Sequence, residues 1–190
     1  MRTTAVLPIL AAVFGTVPLT FSAVTSGWTS LGPDGGQVQA LAIDPQNSNT
    51  LYAATNNGIS KSTDGAKTWI AANLGLPTFS VNRLVIDPQN TSTLYASTVN
   101  GIFKSTDSAA NWNPMNSGLP TYANGKYIFI NALAISPQEP STLYVGMCCD
   151  AQGVFKTIDG GATWNAMALG LSGGTTTKLG FAGRTQSAVI

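Results

Sequence analysis

Eight carboxylates, nine basic side chains and two adjacent cysteines are the reactive groups of this chain, which contains no histidine. The missing imidazole removes His-based zinc sites, Ser-His-Asp triads and Cys-His dyads together. Six of the carboxylates fall in two recurrent settings. Asp44, Asp87 and Glu139 belong to the turns Asp44-Pro45-Gln46-Asn47, Asp87-Pro88-Gln89-Asn90 and Ser136-Pro137-Gln138-Glu139. Asp64, Asp107 and Asp159 are each the third residue of an octapeptide that ends in tryptophan. A short acidic side chain in such places folds back onto backbone N–H groups, so all six are read as turn formers. Asp34 and Asp150 remain outside this pattern. Cys148 and Cys149 are adjacent, and three fates are open to them: a strained vicinal disulfide, pairing with another chain, or two free thiols. With Asp150 they supply three ligands, short of a four-ligand zinc site, so neither a metal nor a cofactor is expected.

The elements that position these groups repeat. Val38–Ile43, Val81–Ile86 and Ile130–Ile135 correspond, and each leads into one of the proline turns. Thr50-Leu-Tyr-Ala53, Thr93-Leu-Tyr-Ala96 and Thr142-Leu-Tyr-Val145 follow, then Gly58-Ile-Ser-Lys61, Gly101-Ile-Phe-Lys104 and Gly153-Val-Phe-Lys156. Tyr52 and Tyr95 are 43 residues apart, and Tyr95 and Tyr144 are 49 apart. Each unit predicts four short strands, in the first unit 38–43, 50–55, 58–62 and 68–71. Four strands in about 40–45 residues is the arithmetic of a propeller blade. The Leu-Tyr-Ala runs are apolar on both faces, as blade-on-blade packing requires. Charged residues make up only 9% of the chain, against roughly 25% in an average soluble domain. The expected fold is all-β: a partial β-propeller of about three four-stranded blades in an incomplete ring.

The octapeptides are Ser62-Thr-Asp64-Gly-Ala-Lys-Thr68-Trp69, Ser105-Thr-Asp107-Ser-Ala-Ala-Asn-Trp112 and Thr157-Ile-Asp159-Gly-Gly161-Ala-Thr163-Trp164. They resemble the Asp-box, or BNR repeat, Ser/Thr-x-Asp-x-Gly-x-Thr-Trp. The third copy matches in full; the first has Ala66, and the second Ala109 and Asn111, where the pattern differs. Sialidases, xyloglucanase-type glycosidases, sortilin-type receptors and photosystem II assembly factors share this repeat. The resemblance implies a peripheral, structural role for the octapeptides. A sialidase would need three arginines and a Tyr–Glu pair; beyond Arg2 the chain has Arg83 and Arg184, with Glu139 in a turn. A xyloglucanase-type site would need two acidic residues across a cleft, and Asp34 and Asp150 are the pair left to supply them.

Antiparallel strand direction sorts the loops. The proline turns and octapeptides share one face of each blade, while the second turn of each blade and the crossings between blades share the other. On that other face the third unit's turn is longer and holds Cys148, Cys149 and Asp150. The second crossing is also long and carries Tyr122, Lys126 and Tyr127. Innermost strands begin with Gln39, Asn82-Arg83 and Asn131 and would ring the mouth of a central channel. Asp34, Asn82, Arg83, Tyr122, Lys126, Tyr127 and Asp150 are therefore the candidate ligand-binding residues, because irregular loops on a rigid scaffold are where binding resides. No catalytic residue is assigned. A secreted, non-catalytic binding or assembly scaffold is expected, part of a larger propeller, with a glycoside hydrolase fragment as the alternative. Its partner would be a protein or a carbohydrate; open blade faces also allow self-association. A net charge of +1 offers no electrostatic case for nucleic acid or an anionic membrane.

Residues 27–171 are read as the three blades preceded by an orphan outer strand at Trp28, and 172–190 as the degenerate or truncated start of a further blade. Asn90-Thr91-Ser92 is a glycosylation sequon only in a eukaryotic secretory path. Residues 1–26 read as a secretory signal: Arg2, an apolar run from Ala5 to Phe21, then Ser22, Ala23 and Ser26. A secreted or periplasmic location without a membrane anchor follows. N-terminal sequencing of exported protein should begin between Ala23 and Gly27; an intact Met1 in the membrane fraction would refute the signal reading.

Overall fold

A computed structural model describes residues 32–33, 36–77, 80–127, 129–147 and 153–167, all within the unit Leu31–Ile190. The segments 1–26 and 172–190, with Trp28, Asp34, Cys148, Cys149 and Asp150, lie outside the described residues.

The described chain folds as three four-stranded antiparallel sheets, each ordered as in sequence. The first blade is β1 (Val38–Ile43), β2 (Leu51–Thr55), β3 (Gly58–Ser62) and β4 (Ile70–Ala71). The second is β5 (Val81–Ile86), β6 (Leu94–Thr98), β7 (Gly101–Ser105) and β8 (Asn113–Pro114). The third is β9 (Ile130–Ile135), β10 (Leu143–Met147), β11 (Val154–Thr157) and β12 (Asn165–Met167). The strand starting at 68 is shorter than its sequence suggests, because Thr68 is still bonded to Asp64 and the chain reaches β3 only at Ile70. Among the described residues no helix is long and apolar enough to cross a membrane.

The core lies between blades. Each blade has a flank facing its predecessor, here called leading, and a flank facing its successor, called trailing. Ala42, Tyr52, Ala54 and Ile59 on the first blade's trailing flank pack against Val81, Leu84, Ile86, Leu94, Phe103 and Trp112 on the second blade's leading flank. One blade further on, Tyr95 and Ile102 pack against Ile130, Leu133, Leu143, Phe155 and Trp164.

Trp112 and Trp164 are each fixed to the preceding blade at two points. The Trp112 indole donates to the Ala72 carbonyl at 2.9 Å and its backbone N–H to Leu74 at 2.9 Å. Trp164 repeats this on Met115 and Ser117, both at 2.8 Å. Such close approach requires glycine in the exit loops. Gly75 has φ +91°, and a Cβ there would stand 2.2 Å from the Trp112 carbonyl oxygen; Gly118 meets Trp164 in the same way at 2.1 Å.

These distances separate two glycine substitutions. Gly75→Ala should lower stability by about 2–4 kcal/mol, combining backbone strain with a clash that must push two blades apart. Gly125→Ala, with φ +77° and nothing near its added Cβ, should cost only about 1 kcal/mol. Urea melts of the two variants measure the difference, and equal losses would contradict close blade contact at Gly75.

Candidate functional site

On the octapeptide face every described aspartate is committed to its own turn. The Asp64 carboxylate accepts from the Ser62 hydroxyl at 2.9 Å, the Thr68 N–H at 2.9 Å and the Thr68 hydroxyl at 2.7 Å. Asp159 accepts the same three bonds from Thr157 and Thr163 at 2.6, 2.9 and 2.5 Å. In the second copy Asn111 stands for threonine, and its side-chain N–H reaches Asp107 at 2.8 Å while Ser105 donates at 2.8 Å. The Ser or Thr oxygen that opens the octapeptide also accepts a backbone N–H from Ala66, Ala109 or Gly161 at 2.9–3.0 Å. Positive φ occurs at two consecutive positions in all three copies: Gly65 and Ala66, Ser108 and Ala109, Gly160 and Gly161. The alanines read in sequence as departures from the repeat thus adopt the backbone that glycine adopts in the third copy.

The bonds hold all three carboxyls at a pKa of about 2, below the ordinary 3.8. The Thr68 N–H is the leading cause at Asp64, the Asn111 amide at Asp107 and the Thr157 hydroxyl at Asp159. Asp44 and Asp87 likewise close their own turns, accepting from the N–H groups of Gln46 and Gln89 at 2.8 Å each. Among the described residues no group of three or more acidic, histidine or cysteine side chains is placed to hold a metal ion.

The opposite face carries a different set. Each innermost strand contains a β-bulge at the same place. The register shifts between Val38 and Ala40, between Val81 and Arg83, and where Ile130 and Ala132 pair with Met147 and Gly146. The skipped residues are Gln39, Asn82 and Asn131. A bulge re-aims a side chain and ends regular pairing, as strands often do beside binding sites. Gln39 donates to Asn56 at 3.2 Å. Arg83 is half-buried, and its guanidinium donates to the Asn82 carbonyl at 2.8 Å. The buried Asn82 side-chain nitrogen has no hydrogen-bond partner among the described residues.

The long second crossing forms a small hairpin. Thr121 bridges Tyr127, Tyr122 N–H donates to Lys126 at 2.8 Å, and Gly125 turns the chain at φ +77°. Tyr122 and Lys126 are exposed, whereas Tyr127 packs partly against the second core cluster. Among the described residues no hydrogen bond joins Lys126 or Tyr127 to Asn82 or Arg83. The described candidates therefore form two groups on one face, the bulge row and the hairpin.

Sequence reasoning passed over a further polar pair. Asn73 and Asn116 accept from the N–H groups of Ile59 and Ile102 at 2.6 and 2.7 Å, clasping the second turn of their blades. A Cβ at Gly58 or Gly101 would collide with them. The signal was available: each asparagine lies 15 residues after its glycine, and Ala168 breaks the pattern where the third unit's turn is longer.

A family model described as the DUF6242 beta propeller domain matches residues 13–182. No curated protein sequence matches the chain. Among solved structures, an ancestral GH74 enzyme is similar at TM-score 0.59 and 22% identity over 73% of this chain. A GH74 enzyme of Niastella koreensis is similar at TM-score 0.53 and 32% identity over 68% of this chain. YCF48 bound to D1 peptide is similar at TM-score 0.53 and 18% identity over 75% of this chain. The chain spans 19%, 22% and 44% of those three proteins.

The depressed carboxyl pKa values give stability a pH dependence. Unfolding returns each octapeptide aspartate to about 3.8 from about 2. The stabilisation is then fully present above pH 4 and is lost as pH falls towards 2. Urea midpoints should fall across that window, and Asp159→Asn should lower the midpoint at pH 7 while making the acid decline shallower. Midpoints that do not move between pH 4 and 2 would refute the assignment.

Proposed function

The chain belongs to the DUF6242 β-propeller domain family, and we propose that it acts there as a non-catalytic binding or assembly scaffold. The bulge row Gln39, Asn82, Arg83 and Asn131 receives the ligand, and Tyr122 and Lys126 on the hairpin border it. One observation carries this reading. The described carboxylates all lie on the octapeptide face, while the opposite face presents amides and a guanidinium. Amides pair with carbonyl and hydroxyl groups alike, which suits a peptide backbone or a glycan. Hydrolysis of a glycosidic bond calls for two carboxyl groups flanking it. A peptide-bound protein, YCF48, shares the blade architecture and makes a protein ligand reasonable.

The 32% identity to the Niastella koreensis GH74 enzyme favours a second reading. In it the chain is part of a glycoside hydrolase, and Asp34 and Asp150 are the carboxylates to consider. Export to a secreted or periplasmic location is part of both readings and rests on the signal-like residues 1–26.

Glycan and peptide arrays probed with the purified chain separate the ligand classes. Arg83→Ala and Asn82→Ala should each weaken captured binding about tenfold or more, as for residues central to an interface, with the urea midpoint of Arg83→Ala unchanged. Binding indifferent to both variants would overturn the bulge-row assignment. Release of reducing sugar from xyloglucan, abolished by Asp150→Ala, would establish the second reading instead.

A further inference from the structure

Asparagine followed by glycine occurs three times, at Asn57-Gly58, Asn100-Gly101 and Asn124-Gly125. Such a pair can react with itself. Glycine has no Cβ to shield its backbone nitrogen, so that nitrogen can reach the Cγ carbon of the asparagine before it. Which pairs react depends on how firmly the backbone around them is held.

Asn57 and Asn100 are held from both sides. Their N–H groups donate to the Thr55 and Thr98 hydroxyls, both at 3.0 Å, and their carbonyls accept from the Asn73 and Asn116 amides at 3.5 and 3.4 Å. The next residue on, Ile59 or Ile102, is clasped by the same asparagine at 2.6 or 2.7 Å. Gly58 and Gly101 are buried, and a Cβ on either would collide with the Asn73 or Asn116 side chain. Both pairs are walled in.

Asn124 differs on each count. Asn124 and Gly125 are exposed at the tip of the hairpin, and nothing lies within 4 Å of a Cβ built on Gly125. The Asn124 Oδ1 accepts the Lys126 N–H at 3.0 Å. This Asx turn folds the carboxamide back over the backbone that follows it. The same bond draws charge from Cγ and is in place to stabilise an oxyanion on Oδ1. Against reaction stands one bond, from the Gly125 N–H to the Tyr122 carbonyl at 2.9 Å, at an exposed tip where local opening costs least.

We propose that Asn124 is a self-modification site, converted through a cyclic imide to aspartate and isoaspartate. The Gly125 nitrogen gives its proton to solvent base and bonds to Cγ. The C–Nδ2 bond breaks, and the amide leaves as ammonia with a proton taken from water. A second water then opens the imide at one of its two carbonyls. Opening at the main-chain side yields isoaspartate, whose backbone runs through Cβ and is one carbon longer. That insertion falls inside the Tyr122–Lys126 bond and the Thr121–Tyr127 bridge and shifts both. Either product sets a carboxylate two residues from Lys126, the one charged side chain between Thr121 and Tyr127, and cancels the hairpin's positive charge.

Peptide mapping by mass spectrometry tests this on the full chain aged at mildly alkaline pH, folded and in urea. In the folded chain the amide-to-acid mass gain should appear at Asn124 at least about tenfold faster than at Asn57 or Asn100, which must first break their clasps. In urea that lead should vanish, because the clasps are gone and all three pairs are Asn-Gly. Asn124→Gln should abolish the fast folded-state conversion, and the ammonia released with it, while leaving the urea midpoint unchanged. An intact Asn124 after ageing, equal rates at the three pairs in the folded chain, or a lead that persists in urea would each overturn the proposal.

Discussion

The left-handed pair of residues inside each octapeptide turn is the constraint on which the remaining architecture depends. L-residues resist that conformation by about 1–2 kcal/mol, yet Ala66, Ser108 and Ala109 all adopt it. What offsets the strain is an ionised carboxylate accepting three bonds at once, each charge-assisted. The reward appears on the neighbouring blade. The second pair, Ser108 and Ala109, presents the Ser108 carbonyl to Lys61 of the blade before; the third presents the Gly160 carbonyl to Lys104 and to the Tyr95 hydroxyl at 3.1 Å. The same lysines lie 5.2–5.5 Å from the centres of the tyrosine rings beneath them. Burial pushes the Tyr95 phenol up to about 12, so it remains a donor across the physiological range. A local turn thus becomes an inter-blade joint.

That use of the carboxylates leaves a clear division of labour between the two faces. The described aspartates build the octapeptide face and are bonded into their own turns. The bulged face is assembled from amides, one arginine and a hairpin that the second crossing adds. Rigidity on one side and variation on the other follow from strand direction, since alternate turns of an antiparallel blade must emerge on opposite faces.

Much of this was legible in the residues. Strands 38–43 and 58–62 stand where the repeat placed them, because apolar alternation and flanking turn residues agree there. The outermost strands are shorter than expected, since the octapeptide bonds continue to Thr68 and its equivalents before pairing begins. The bulges were invisible to a pattern with a period of two, although Gln39, Asn82 and Asn131 share a polar repeat position that marks them in retrospect. Alanines 66 and 109 read as erosion of the motif, but a carboxylate can enforce a conformation that composition alone disfavours. The glutamine and lysine joints recur in every unit, yet a recurrence identifies no partner until blades are placed side by side.

The repetition of the same joints, with Gln46 donating to the Pro88 and Gln89 carbonyls and Gln89 to those of Pro137 and Gln138, also bears on how such chains change length. Gly75 and Gly118 are equivalent and 43 residues apart. Unequal crossing-over between their codons would delete one whole blade and set the first blade directly against the third. Lys61 would then meet the Gly160 carbonyl, Gln46 the carbonyls of Pro137 and Gln138, and the Ala72 carbonyl the Trp164 indole. Every severed joint would find an equivalent partner, and the reciprocal product would gain a blade on the same terms. Blade number is therefore open to inheritance by duplication and loss, without new chemistry at any seam.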